Sequence, residues 1–351
     1  MMPAAFIALN KFPRLRPWCG PLGLLLAVVA LAASAFATTV AQLLATQGVL
    51  YAIGCGLLFS PISLYMDEWF VERKGLAYGV MWAGKSTVGV AMPFIFSALL
   101  ERFGIRATLL SWTAASAIMT LPLLVMLKPR LPLPAAGAYQ PRPLSFAFLR
   151  NTTFWMLQFG ITVQALGYLM PTTYLASYAT AIGFSSITGP ILLALFAFAS
   201  VPGSLIHGLL GDRMSATTMI VISSLGSALP VFLLWGLSRH ISTMVVFVIL
   251  YGFFAGGFSA TWSGILNEMK RHDPTTDTSL VFGMLLGGRG IGFVLGGPVS
   301  GALVSMGTRF GDGSLGYATE YGPMILCTGA TALLGAWAPI WKFSKQVWRA
   351  L

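Results

Sequence analysis

Two short segments hold the residues best placed to act on a ligand. Residues 79–85 read GVMWAGK and residues 283–289 read GMLLGGR. Each is a glycine, four residues, a second glycine and a cation, followed by Pro93 or Pro298. Both cations, Lys85 and Arg289, fall inside long apolar runs, about ten residues beyond a polar loop. At 1.5 Å per residue that is roughly 15 Å of helix, near the middle of a bilayer. A cation there costs at least ~2.5–3.5 kcal/mol, so it normally faces a cavity or a partner. No Asp or Glu occurs at comparable depth, and an anionic ligand would supply the missing charge. The competing reading is that both bond to carbonyls of neighbouring helices, or that Lys85 is neutral.

The same segment extended to GVMWAGKS (79–86) fits the phosphate-loop pattern G-x-x-x-x-G-K-[ST]. That chemistry needs a strand, an open glycine turn and then a helix, so that free amides cradle phosphate. Inside a continuous apolar helix the amides are already bonded, so no nucleotide partner is expected. His207 in GSLIHGLLGDRM can relay protons or serve as a hydrogen-bonded packing residue. Asp212 and Arg213 directly follow and read either as a solvated loop pair or as a gating latch. Asp67 and Glu68, at a membrane edge, are the other candidates for proton coupling. Gln164 and Tyr168 lie one helical turn apart and can share a face. With Trp262 they are candidate substrate contacts, whereas Tyr174 reads as an interfacial ring. Cys19, Cys55 and Cys327 have no metal-ligand spacing, so neither a metal nor a disulfide framework is expected. No cofactor and no catalytic residue is expected either.

These residues are positioned by apolar segments long enough to span lipid. Of 351 residues 56% are hydrophobic and 9% charged, against about 25% charged in soluble chains. Runs of roughly 20 apolar residues recur, and 39 glycines suit close helix packing in lipid. An all-α polytopic membrane protein follows, with spans expected at about 21–38, 42–66, 76–99, 107–127, 154–178, 188–210, 217–237, 241–263, 281–305 and 321–341. The net charge of +11 reads as topogenic loop charge rather than as nucleic-acid binding. With the N-terminus placed in the cytoplasm, fifteen of the 21 Lys and Arg fall in inside loops and four outside, as retention of positive charge requires. Both termini are then cytoplasmic, and the sequon Asn151-Thr152-Thr153 should stay unglycosylated. The proline-rich segment 128–153 divides four spans in 1–127 from six in 154–351.

Several longer stretches carry a family resemblance. LYMDEWFVERKGLAYGVMWAG (64–84) resembles the fourth-to-fifth helix junction of monocarboxylate-transporter-like members of the major facilitator superfamily, most of all their fungal branch. QALGYLMPTTYLASYA (164–179) resembles the seventh helix of that branch. LYGFFAGGFSATWSGIL (250–266) and GRGIGFVLGGPVSGAL (288–303) resemble the tenth and eleventh, and GLLGDRM (208–214) the superfamily's repeated loop motif. The resemblance implies two helical bundles around a central cavity exposed alternately to each side. Against twelve family helices this chain supplies about ten, and residues 1–20 resemble the end of the second helix and the loop after it. The eighth-helix acid–arginine pair of animal members has no counterpart in ASVPGSLIHGLL. The resulting expectation is a monomeric secondary carrier of a small or medium organic anion in the plasma membrane, with Arg289 and Lys85 holding the carboxylate. The alternative is a non-transporting membrane remnant or a regulatory partner of a full-length carrier. An ATP-driven pump is excluded for want of a nucleotide-binding domain.

Overall fold

The computed structural model describes residues 2–130, 144–274, 276–307 and 315–341. Among these every regular element is helical. In chain order they are α1 (Met2–Lys11), α2 (Arg16–Ser34), α3 (Val40–Leu43), α4 (Tyr51–Trp69), α5 (Lys74–Met126), α6 (Thr152–Ala181), α7 (Thr188–Gly211), α8 (Ala216–Pro230), α9 (Ile241–Gly257), α10 (Trp262–His272), α11 (Thr278–Gly307) and α12 (Gly322–Leu334). The π-helical turns Leu44–Leu50 and Val231–Trp235 continue their neighbours. Seven described helical segments are long and apolar enough to cross a membrane.

One of these seven, α5, has 53 residues. A straight helix of that length would run about 80 Å, far beyond a hydrocarbon layer of ~30 Å. Its backbone leaves the helical region at Gly104, with φ 73° and ψ 177°, a conformation that favours glycine. The break lies between the expected spans 76–99 and 107–127. The expected spans 154–178 and 321–341 lie on α6, whose 30 residues carry no charge, and on α12. Each of the ten expected segments is helical over most of its described length, with turn or irregular residues including 35–38, 236–237 and 335–336. Of the loop cations used to set orientation, Arg142, Arg309, Lys342, Lys345 and Arg349 lie outside the described residues, as does 131–143 of the central segment.

The chain forms two compact units. The first comprises Met1–Glu72, Phe94–Ser145 and Ser279–Met284. Within it α2 packs on α4 through Gly23 and Gly54. A methyl group on Gly23 would lie 2.6 Å from the Leu58 nitrogen and 2.7 Å from the Gly54 carbonyl, so only glycine permits that backbone contact. Arg16 pairs with Glu68 at 2.7 Å and donates to the Leu9 carbonyl at 3.3 Å, tying the start of α2 to the end of α4.

The second unit comprises Arg73–Pro93, Phe146–Thr278 and Leu285–Leu351. Its α7 and α9 touch backbone to backbone: Gly203 lies against the Phe253 carbonyl and Gly252 against that of Phe196. Ser200 seals the contact by donating to the Gly252 carbonyl at 3.0 Å. The first turns of α5 also pack on α7, where a Gly79 methyl would meet the Ser204 carbonyl at 2.7 Å. Along α11, Gly292 and Gly296 lie against Thr162 and Leu166 of α6. Asn151 starts α6 by accepting from the Thr153 amide at 2.9 Å, an ordinary side-chain cap. Tyr178, Trp235, Tyr251 and Tyr321 anchor the apolar core between these helices.

Candidate functional site

Within the second unit, the close approach of α11 to α6 sets the position of Arg289. Gly288 sits against Gln158 and Thr162 of α6, and the next residue projects into a ring of aromatic side chains. The Arg289 guanidinium carbon lies 5.1 Å from the Tyr168 ring, 5.0 Å from Phe293, 5.4 Å from Trp262 and 5.7 Å from Trp82. These distances are within cation–π range. One of its N–H groups donates to the Ser259 hydroxyl. Tyr168 and Phe293 are themselves stacked, with centroids 6.0 Å apart, and Tyr251 holds the α6 backbone by donating to the Tyr168 carbonyl at 3.3 Å.

Arg289 is 5% exposed, and no carboxylate pairs with it among the described residues. A guanidinium has five N–H donors, and here a single hydroxyl is the protein acceptor. Cation–π contacts return roughly 0.5–2 kcal/mol each, less than full hydration of a cation would. The remaining donors have no acceptor among the described residues. Lys85 joins the same cluster from α5: its ammonium lies 5.6 Å from the Trp82 ring, so both cations are within cation–π range of that indole. Unlike Arg289, Lys85 is exposed.

The residues expected to gate or couple separate into three places. Asp212, at the end of α7, accepts from the Gly75 amide at 2.7 Å and from the Leu76 amide at 3.0 Å. It thereby caps the N-terminus of α5, where a negative charge also meets the helix dipole. Arg213 follows it and is exposed. His207 is buried between α7 and α9, with Nδ1 2.8 Å from the Gly203 carbonyl and the rings of Phe253 and Phe254 at 5.6 and 6.0 Å. Its Nε2 has no hydrogen-bond partner among the described residues. Glu68 is paired with Arg16 as described above, and Asp67 precedes it in the last turn of α4.

The helical fold, the repeated Gly-cation segments and the loop motif converge on one family, and the match is direct. Residues 2–206 and 188–346 fit the model of the Major Facilitator Superfamily. The chain belongs to the Major Facilitator Superfamily. Its curated relatives carry transporter names. An MFS-type transporter, pynF, of Aspergillus niger is 28% identical over 282 residues, covering 79% of this chain and 63% of the relative. MFS-type transporter 1 of an Ophiocordyceps species is 25% identical over 289 residues, covering 81% and 62%. Monocarboxylate transporter 10 of Danio rerio is 27% identical over 293 residues, covering 78% and 55%. The chain thus spans about three-fifths of the length of the curated relatives it matches.

In this superfamily member the structure brings together four expected substrate contacts, Arg289, Lys85, Tyr168 and Trp262, around residues that sequence reasoning did not single out. Trp82 lies three residues before Lys85 and Phe293 four after Arg289, spacings that place side chains on one helix face. That signal was available. Ser259 offered none, because its partner is 30 residues away on another helix. Gln164, one turn before Tyr168 on α6, has different neighbours. Its Cβ packs at Gly335 beside Ser224, and its side-chain oxygen has no partner among the described residues. The segment 79–86 is α-helical throughout, which commits its amides to the helix.

Proposed function

We propose that the protein is a secondary active carrier that moves an organic anion, a monocarboxylate or an acidic metabolite, by exposing the Arg289 site alternately to the two membrane faces. One observation supports this above the others: a buried guanidinium ringed by aromatic groups which, among the described residues, has one hydroxyl as its acceptor and no carboxylate partner. A substrate carboxylate fits that deficit, since arginine binds carboxylates through two parallel N–H bonds. Lys85, which shares the Trp82 ring with Arg289, adds a second positive charge near the site. The aromatic walls supply apolar area for the rest of the substrate and fix the guanidinium plane. The names of the relatives agree with transport and leave the substrate class to experiment. The division into a four-helix part (1–127), a connecting segment (128–153) and a six-helix part (154–351), the monomeric state, the plasma-membrane location and the cytoplasmic termini belong to the same proposal. So do the coupling and gating roles of His207, Asp212, Arg213, Asp67 and Glu68, and a substrate contact for Gln164.

Trp82 and Trp262 make the test convenient, because both indoles adjoin Arg289. In purified protein, titration with a panel of monocarboxylates should change indole fluorescence saturably, and Arg289→Ala should weaken the response by about 10- to 150-fold. That range corresponds to ~1.5–3 kcal/mol for a hydrogen bond to a charged group. An unchanged titration in the variant would refute the assignment.

A further inference from the structure

A second site lies at the turn between α7 and α8, also within the second unit. A cavity of about 300 Å³ is bounded there by the turn and by one face of α10, with Arg213, Arg271, Asn267 and Ser215 in its wall. That volume is at the lower end of small-molecule sites, ~300–1,000 Å³. Two carboxylates share the lining, Asp212 and Glu268, and neither forms an ion pair with Arg213 or Arg271 among the described residues. Asp212 accepts instead from the Gly75 and Leu76 amides. Neither Arg213 nor Arg271 makes a hydrogen bond or ion pair among the described residues, so two guanidinium groups from separate elements meet one cavity uncommitted. The first turn of α8 adds to this. Ser215 caps it by accepting from the Thr218 amide at 3.1 Å, no acid follows in that turn, and Thr217 contributes to the lining.

We propose that this cavity is a binding site for a phosphate monoester or free phosphate, distinct from the Arg289 site. Arginine forks match phosphate oxygens in pairs, and a helix N-terminus favours the same charge. The cavity is larger than a bare phosphate needs, and Met214, in its wall, is 38% exposed. Both features suit a phosphorylated lipid headgroup whose acyl chains leave along the apolar helix surface. The loop-charge reading assigns this turn to the cytoplasmic face, where anionic lipids attract basic groups.

The test uses the full chain in detergent, with dioctanoyl phosphatidylinositol 4-phosphate, inorganic phosphate and dioctanoyl phosphatidylcholine as three probes. The phosphoinositide should bind saturably and phosphatidylcholine should not. At about 1 kcal/mol per basic residue, Arg213→Gln and Arg271→Gln should each weaken binding roughly fivefold and the double variant roughly 25-fold. Competition by millimolar inorganic phosphate, lost in the same variants, would support the phosphate site with a free anion as its source. Thr217→Glu gives an independent check, because an acid in the first turn favours the helix while opposing an anion in the cavity. Phosphoinositide binding should fall in that variant with no loss of thermal stability. Equal binding of phosphatidylcholine, or phosphoinositide binding unchanged in both Thr217→Glu and the double arginine variant, would overturn the proposal.

Discussion

Replacing Asp212 by Asn tests whether the α7 terminus clamps the start of α5. In the structure its two carboxylate oxygens accept separately from consecutive amides, Gly75 at 2.7 Å and Leu76 at 3.0 Å. Asparagine keeps one acceptor oxygen and turns an NH₂ group toward the other amide, so one bond is lost and the charge is removed. Loss of an N-terminal cap costs ~0.5–2 kcal/mol, and loss of a favourable charge at the dipole costs ~0.3–1 kcal/mol. The combined range, about 1–3 kcal/mol, corresponds to roughly a 5- to 150-fold rise in local opening. Hydrogen–deuterium exchange of a peptide covering 72–80 reads that rise directly, because amide protection follows the local opening free energy. Peptides in α12 should exchange as in the parent protein. Unaltered protection at 72–80 in the Asn variant would refute the clamp, whatever the variant does to transport.

Two further outcomes follow from the packing. Trp82→Ala removes the ring that both Lys85 and Arg289 contact and should weaken carboxylate binding by about 5- to 30-fold at ~1–2 kcal/mol. Trp82→Phe, which keeps a π face, should lose less than half of that free energy, so equal losses in the two variants would count against the cation–π role. Gly203→Ala forces a methyl group into the Phe253 carbonyl and should lower the melting temperature measured by intrinsic fluorescence. Gly84→Ala, with nothing within 4 Å of the added carbon, should hold or raise it, because alanine outranks glycine in helices by ~1 kcal/mol.

The sequence carried the helical fold further than it carried the site. Apolar length alone located most of the helices, since lipid admits few alternatives to a helix. The glycine at 104 and the charges Glu101, Arg102 and Arg106 already marked a break inside the 53-residue helix. The repeated Gly-x₄-Gly-cation pattern found Arg289 and Lys85, and helical spacing would have added Trp82 and Phe293. Contacts set by tertiary packing were not legible. Asp212 meets amides 136 and 137 residues away, and no local pattern announces them. Gln164 shows the limit of helical spacing: one turn from Tyr168, it still packs at Gly335 because α6 is buried on more than one face. His207 was legible as a polar residue in an apolar span, and its seat against Phe253 and Phe254 follows from how closely α7 approaches α9.

Transport by Arg289 variants separates a substrate-binding guanidinium from a structural one. Proteoliposomes loaded with a monocarboxylate panel should show counterflow with the parent chain. Arg289→Ala should abolish it while inserting to the same level, and Arg289→Lys should retain a fraction, because lysine keeps the charge and loses the fork. Counterflow in Arg289→Ala equal to that of the parent would contradict the central claim.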